Sequence, residues 1–100
     1  MIYVLVALKG ELPENKLDSE KFKVWYTGVG KINATVSATL AVNQPDCDRI
    51  INYGTAGALA PDLAGKLLEV GAVRQRDMDC RPVVDLGLTP FETTEIAGDI

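Results

Sequence analysis

Glu11 is the residue in this sequence with the clearest capacity to hold or move a proton at a site. It lies just past an apolar run, Ile2 to Leu8, in a loop otherwise short of apolar side chains. A carboxylate at a strand's end can activate water or hold a sugar hydroxyl, although a solvated loop acid is the plainer reading of the residue taken alone. Two glycine-containing turns are the next features. Gly28-Val29-Gly30-Lys31 lets the backbone bend sharply and approach a ligand, and free N–H groups at a helix start suit an oxygen-rich one. Taken alone, a tight turn is the plainer reading. It is not the GxxxxGK[ST] phosphate loop, and the third glycine of the dinucleotide fingerprint is missing. Gly54-Thr55-Ala56-Gly57 is richer in small residues than a simple turn requires. Such residues keep a cleft open and expose backbone N–H groups, and Thr55 adds a hydroxyl; close strand–loop packing is the alternative. Asp77 and Asp79 read as a second acidic site or metal point, or as alternating charges on an exposed strand end. Trp25 and Tyr26 read as core or interface residues rather than a platform for stacking a base.

Composition removes other chemistries. The chain contains no histidine, which excludes a Ser-His-Asp triad and a Cys/His zinc site within it. Its two cysteines, Cys47 and Cys80, form no CxxC pair and are too few for a disulfide framework. A formal net charge of -4 and the lack of any Lys/Arg cluster argue against nucleic acid or an anionic membrane as partner. The apolar start is too short for a signal sequence, and no run is long enough to span a bilayer. A soluble cytoplasmic protein is the expectation, with no metal and no cofactor.

The elements that must position these residues follow from period and punctuation. Ile2 to Leu8 predicts a buried strand, and Leu12 to Lys21 a loop or short helix interrupted by Pro13. Phe22 to Tyr26 predicts a second strand. Lys31 to Asn43 predicts a helix: Ile32, Val36 and Leu40 recur at helical spacing, and Ala34, Ala38 and Ala41 supply small residues for close packing. Arg49 to Tyr53 predicts a third strand and Pro61 to Gly65 a turn. Leu67 to Arg76 reads as a longer strand with Gly71 as a bulge or bend, and Val83-Val84 as a short one; Pro90 to Ile100 has no clear period. Strand, helix and strand across residues 22–53 form a β-α-β crossover, which favours parallel pairing with ligands at the carboxyl ends of the strands. Glu11 and both glycine turns fall at such ends.

The runs YTGVGKINATVSATLAV and DRIINYGTAGALAPDL, with a first strand ending at Glu11 and a later RQRDMD segment, resemble the nucleoside phosphorylase/nucleosidase superfamily, most closely the methylthioadenosine/S-adenosylhomocysteine nucleosidases. The resemblance covers most of residues 1 to 80, and IINYGTAGALAP is its most specific part. It implies an α/β fold with a central mixed β-sheet flanked by helices, of which residues 1–100 are the N-terminal portion of a single domain. It implies homodimers or higher homo-oligomers, a small purine nucleoside as ligand, and cleavage of the bond between purine and ribose. Glu11 matches the glutamate that aims or activates the attacking water. Val29 matches an apolar position against the 5′-substituent, and Thr55, Ala56 and Gly57 match the loop lining the ribose. The region Leu86 to Phe91 corresponds to one that reaches a neighbouring subunit's pocket.

Hydrolysis is favoured over phosphorolysis, because Asn52 stands where hexameric phosphorylases carry an arginine and Lys9-Gly10-Glu11-Leu12-Pro13 lacks the arginine of their anion loop. The resemblance assigns the acid that protonates the leaving purine, and a ribose-holding Met-Glu segment, to a C-terminal half beyond Ile100. The chain is therefore expected to be a portion of a longer enzyme and inactive alone. A phosphate-dependent phosphorylase and a non-catalytic nucleoside-binding or oligomerisation module are the alternatives.

Overall fold

The computed structural model describes residues 1–91. They divide into two compact units, Met1–Leu59 and the residues from Ala60 onward. The first is an α/β unit. Strands β1 (Ile2–Val6), β2 (Phe22–Tyr26) and β3 (Arg49–Asn52) form a sheet of order β2-β1-β3, and helix α1 (Lys31–Val42) connects β2 to β3. Both pairings are parallel, with Ile2 opposite Phe22 and Arg49, and Val6 opposite Tyr26. The α/β class holds, and the three strands of this sheet all run the same way.

The central strand explains the placement of the core. Tyr3, Val4, Leu5 and Val6 are all buried, so both faces of β1 are covered, as its unbroken apolar run requires. Each buried valine or leucine contributes roughly 1.5–3 kcal/mol, which makes this short strand the anchor of the unit. On one face Tyr3 and Leu5 pack with Ala41 of α1, and Met1, Trp25, Ala38, Cys47 and Ile50 close around them. Tyr3 and Trp25 meet with ring centroids 6.0 Å apart at a tilt of 44°, so Trp25 is a core residue, as its sequence context suggests.

Helix α1 turns its small residues inward, in keeping with the alanines that its sequence offers for close packing. Ala41 is fully buried and Ser37 nearly so, while Ile32, Val36 and Leu40 are 82%, 53% and 51% exposed. The small residues do the packing because they let the helix axis approach the sheet; the larger apolar stripe faces away. The threonine and asparagine side chains along and just after α1 keep their polar groups satisfied by bonding back to carbonyls one turn earlier. Thr35 and Thr39 hydroxyls donate to Lys31 and Thr35 oxygens at 2.7 and 2.8 Å, and the Asn43 amide donates to Thr39 O at 2.7 Å.

The segment between β1 and β2 contains two 3₁₀ turns, Lys9–Glu11 and Glu14–Lys16, separated by Pro13. In the second unit Pro61–Leu63 forms another, matching the expected turn. Two strand expectations there are not met. Leu67 to Arg76 forms no ladder among the described residues: Leu67, Leu68, Val70 and Val73 are exposed, so no buried face holds the segment in a sheet, and Gly71 makes no bulge. Val83 and Val84 direct their amides to Cys80 O at 3.0 and 3.5 Å, which commits them to a turn. The aperiodic reading of Pro90 to Ile100 lies outside the described residues from position 92 onward. No described helix is long and apolar enough to cross a membrane.

Candidate functional site

Parallel register brings three loops to one end of the sheet. Val6 lies opposite Tyr26, and Leu5 opposite Asn52, so the chain leaves all three strands at the same edge. The exits are tied together by backbone bonds: Thr27 N donates to Val6 O at 2.8 Å, Gly28 N to Ala7 O at 3.2 Å, and Tyr53 N to Leu5 O at 3.0 Å. Glu11, the Gly28–Gly30 turn and the Gly54–Gly57 loop follow directly on these exits. This is the carboxyl edge, where parallel α/β sheets present their ligand sites.

Glu11 ends the 3₁₀ turn after β1 and reaches across to the loop after β3. Its Oε2 accepts the Thr55 amide at 2.8 Å and the Thr55 hydroxyl at 2.7 Å; its Oε1 accepts the Leu8 amide at 3.1 Å. The Glu11 amide donates in return to Leu8 O at 3.0 Å. The Thr55 hydroxyl first, then the Thr55 amide, hold the Glu11 carboxyl below the usual carboxylate range; the Leu8 amide adds to this, against an opposing contribution from partial desolvation. The group is thus an anion at neutral pH and a weak base. It is suited to orient a water or hydroxyl and to stand near developing positive charge, more than to strip a proton outright.

The glycine turn after β2 is built as its sequence requires. Gly28 and Gly30 have φ of 79° and 95°, which disfavours any side chain, and a β-carbon on Gly28 would lie 3.0 Å from Asn33 Nδ2. The Asn33 amide closes the turn on Val29 O at 2.8 Å, and the Val29 side chain is exposed. Tyr26 secures the loop after β1, its hydroxyl donating to Leu12 O at 2.8 Å while Lys9 Nζ sits 5.7 Å from its ring centroid.

Of the residues singled out in the sequence, Glu11 and Thr55 are brought into direct contact. Val29 stands on its turn at the same edge, and Ala56 and Gly57 continue the loop in the open, with no atom within 4 Å of a β-carbon built on Gly57. Sequence reasoning missed two participants. The Leu8 amide binds Glu11 through a three-residue spacing, which is the signal that could have disclosed it. Gly54 supports the carboxylate by having no side chain, since a β-carbon there would lie 3.3 Å from Glu11 Oε2. Asp79 is paired with Arg81 at 2.9 and 2.7 Å, and no group of three or more His, Cys, Asp or Glu residues gathers to hold a metal among the described residues.

The clamped Glu11 carboxylate and the two small-residue loops thus lie together at the carboxyl edge of a parallel α/β sheet. The kinship is with the 5'-methylthioadenosine/S-adenosylhomocysteine nucleosidases, of which the chain is a homologue over most of its own length. It is 38% identical over 86 residues to the enzyme of that name from Staphylococcus haemolyticus, covering 84% of this chain and 38% of the relative. It is 32% identical over 88 residues to that from Staphylococcus saprophyticus (86% and 39%), and 36% identical over 70 residues to that from Shewanella piezotolerans (69% and 30%). The chain therefore spans between 30% and 39% of the length of these curated relatives. No protein-family model and no solved structure matches the chain.

Proposed function

We propose that the protein is a purine nucleosidase that hydrolyses the N-glycosidic bond of methylthioadenosine, S-adenosylhomocysteine or a related nucleoside, with water as nucleophile. The observation that carries this reading is the Glu11 carboxylate, held ionised by Thr55 and Leu8 at the carboxyl edge of the sheet. The names of the relatives support it, as does the match of Glu11, Val29, Thr55, Ala56 and Gly57 to the family's site positions.

The chemistry suits a carboxylate of lowered pKa. As the bond to the purine stretches, the ribosyl group becomes oxocarbenium-like and strongly electrophilic. Water then needs aiming more than deprotonation, and a fixed anion both accepts its O–H bond and stabilises the cation. Val29 faces the 5′-substituent, and Thr55, Ala56 and Gly57 border the ribose. The resemblance places the acid that protonates the leaving purine outside residues 1–100, and turnover requires it. The working form is a cytoplasmic homo-oligomer, and Phe91, which is 95% exposed, is the side chain of the 86–91 region most open to a neighbouring subunit's pocket. Asn52, in place of a phosphate-binding arginine, supports water over phosphate.

The test is adenine release from methylthioadenosine by the full-length protein, with and without phosphate. Phosphate-independent release is expected. Release only with phosphate would make the protein a phosphorylase, and nucleoside binding without turnover would make it a non-catalytic module.

A further inference from the structure

Glu11 sits on an exposed loop and has three side-chain torsions, so something must fix its carboxylate before it can aim a nucleophile. A carboxylate has about four lone-pair positions. Thr55 occupies both on Oε2, through its amide at 2.8 Å and its hydroxyl at 2.7 Å. The Leu8 amide occupies one on Oε1 at 3.1 Å. Among the described residues, one acceptor position is left, and it is on Oε1.

The two donors of Thr55 come from a different part of the chain than Glu11 itself, 44 residues away. They are carried on the exit of β3, which is tied to the exit of β1 by the Tyr53 N to Leu5 O bond at 3.0 Å. The clamp is therefore anchored in the sheet rather than in the loop that bears Glu11. A residue that spends both its amide and its hydroxyl proton on Glu11 has no donor left for a ribose hydroxyl.

We infer that Thr55 is a positioning residue, whose amide and hydroxyl together clamp Oε2 of Glu11 and leave Oε1 as the oxygen that accepts the O–H bond of the attacking water. The inference rests on the nucleosidase reading for the identity of that water, while the clamp itself is independent of it. No bond to Thr55 is made or broken in the reaction; the hydroxyl keeps its proton and acts through Glu11.

The experiment compares Thr55→Val, which keeps shape and loses the hydroxyl, with Thr55→Ser, which keeps the hydroxyl, in the full-length protein. Two readouts are taken: the pH titration of the Glu11 carboxyl carbon by NMR without substrate, assigned by its loss in Glu11→Gln, and kcat and KM for methylthioadenosine. In Thr55→Val the Glu11 midpoint is expected to rise and kcat to fall by about 10²-fold, with KM changed by less than about threefold. The serine variant restores both. If Thr55 instead touches the ribose, the valine variant raises KM and leaves both kcat and the Glu11 midpoint at wild-type values, which overturns the inference. Thermal unfolding identifies a misfolded valine variant, in which case Thr55→Ala is read in its place. The nucleosidase reading fails separately: absence of adenine release from the wild-type protein removes it, while the Glu11 titration still decides whether the clamp exists.

Discussion

Gly54 and Glu11 approach so closely that a β-carbon on the glycine would lie 3.3 Å from the Oε2 atom of the carboxylate. The same oxygen is held by two donors of Thr55, so it cannot withdraw without breaking a hydrogen bond. Gly54 does not require the left-handed region, for its φ is not among the positive ones. A substitution there acts through the carboxylate and not through backbone strain. Gly54→Ala is expected to lower kcat by about tenfold, equivalent to about 1.4 kcal/mol, while its thermal midpoint stays within a few degrees of the parent. Equal kcat in the two proteins would mean that the carboxylate yields freely and that its position is unimportant.

Glu11→Gln tests the charge with the shape retained. The amide oxygen can still accept from Thr55, but the amide nitrogen then faces the Leu8 N–H, donor against donor, where Oε1 now accepts at 3.1 Å. Loss of the anion also removes the electrostatic partner of the ribosyl cation. Hydrolysis by the full-length protein is expected to fall at least about 10²-fold, with circular dichroism unchanged. In the parent, the acid limb of the rate profile reports protonation of Glu11 and lies below the range of an ordinary carboxylate, because Thr55 stabilises the ionised form. Full activity in the glutamine variant would remove Glu11 from the mechanism.

The inward face of α1 makes a prediction about stability. Ala41 has no exposed surface and lies against Tyr3 and Leu5, whereas Ile32 is 82% exposed. Ala41→Leu forces extra carbons between helix and sheet and is expected to cost about 1–3 kcal/mol. Ile32→Ala removes a large apolar side chain that packs on little and is expected to stay within about 0.5 kcal/mol. Chemical denaturation of both variants checks the ordering. The reverse order would mean that the larger stripe, not the alanines, faces the sheet.

That ordering marks where the sequence is legible and where it is not. β1, β2 and α1 can be read because each carries a strong local signal: an apolar run, a short alternation ending in Thr27-Gly28, and a helical period ending at Asn43. The convergence of Glu11 with the loop after β3 can be read from β-α-β topology, since parallel strands must share a carboxyl edge. The orientation of α1 cannot, because periodicity identifies two candidate faces, Ile32-Val36-Leu40 and Ala34-Ala38-Ala41, and only the required distance to the sheet selects the smaller residues. Leu67 to Arg76 shows the converse failure. Its β-branched and apolar residues suit a strand, but a strand exists only with a ladder partner, and local composition does not disclose one. The role of Gly54 was hidden for a third reason: its contribution is a missing β-carbon opposite a residue distant in sequence.

Tyr3 and Asp46 supply a test of the fold at the opposite extreme of pH. The Tyr3 hydroxyl donates to Asp46 Oδ1 at 2.5 Å from within the core cluster. This bond, then burial, then the negative charge of Asp46, push the Tyr3 phenol up to about 12. In the unfolded chain the same phenol ionises near 10. Below about pH 10 both states keep the proton, and the contribution of the bond is fully present. Between about 10 and about 12 the unfolded state releases its proton while the folded state holds it, so stability falls as pH rises. Tyr3→Phe keeps the ring against Trp25 but has no proton to release. It is expected to be less stable than the parent at neutral pH and to lose less stability across this alkaline window. Asp46→Asn, which keeps an acceptor without the charge, is expected to fall between the two. Denaturant midpoints measured from pH 8 to pH 11 decide the matter, and parallel curves for Tyr3→Phe and the parent would show that Tyr3 does not carry the alkaline sensitivity.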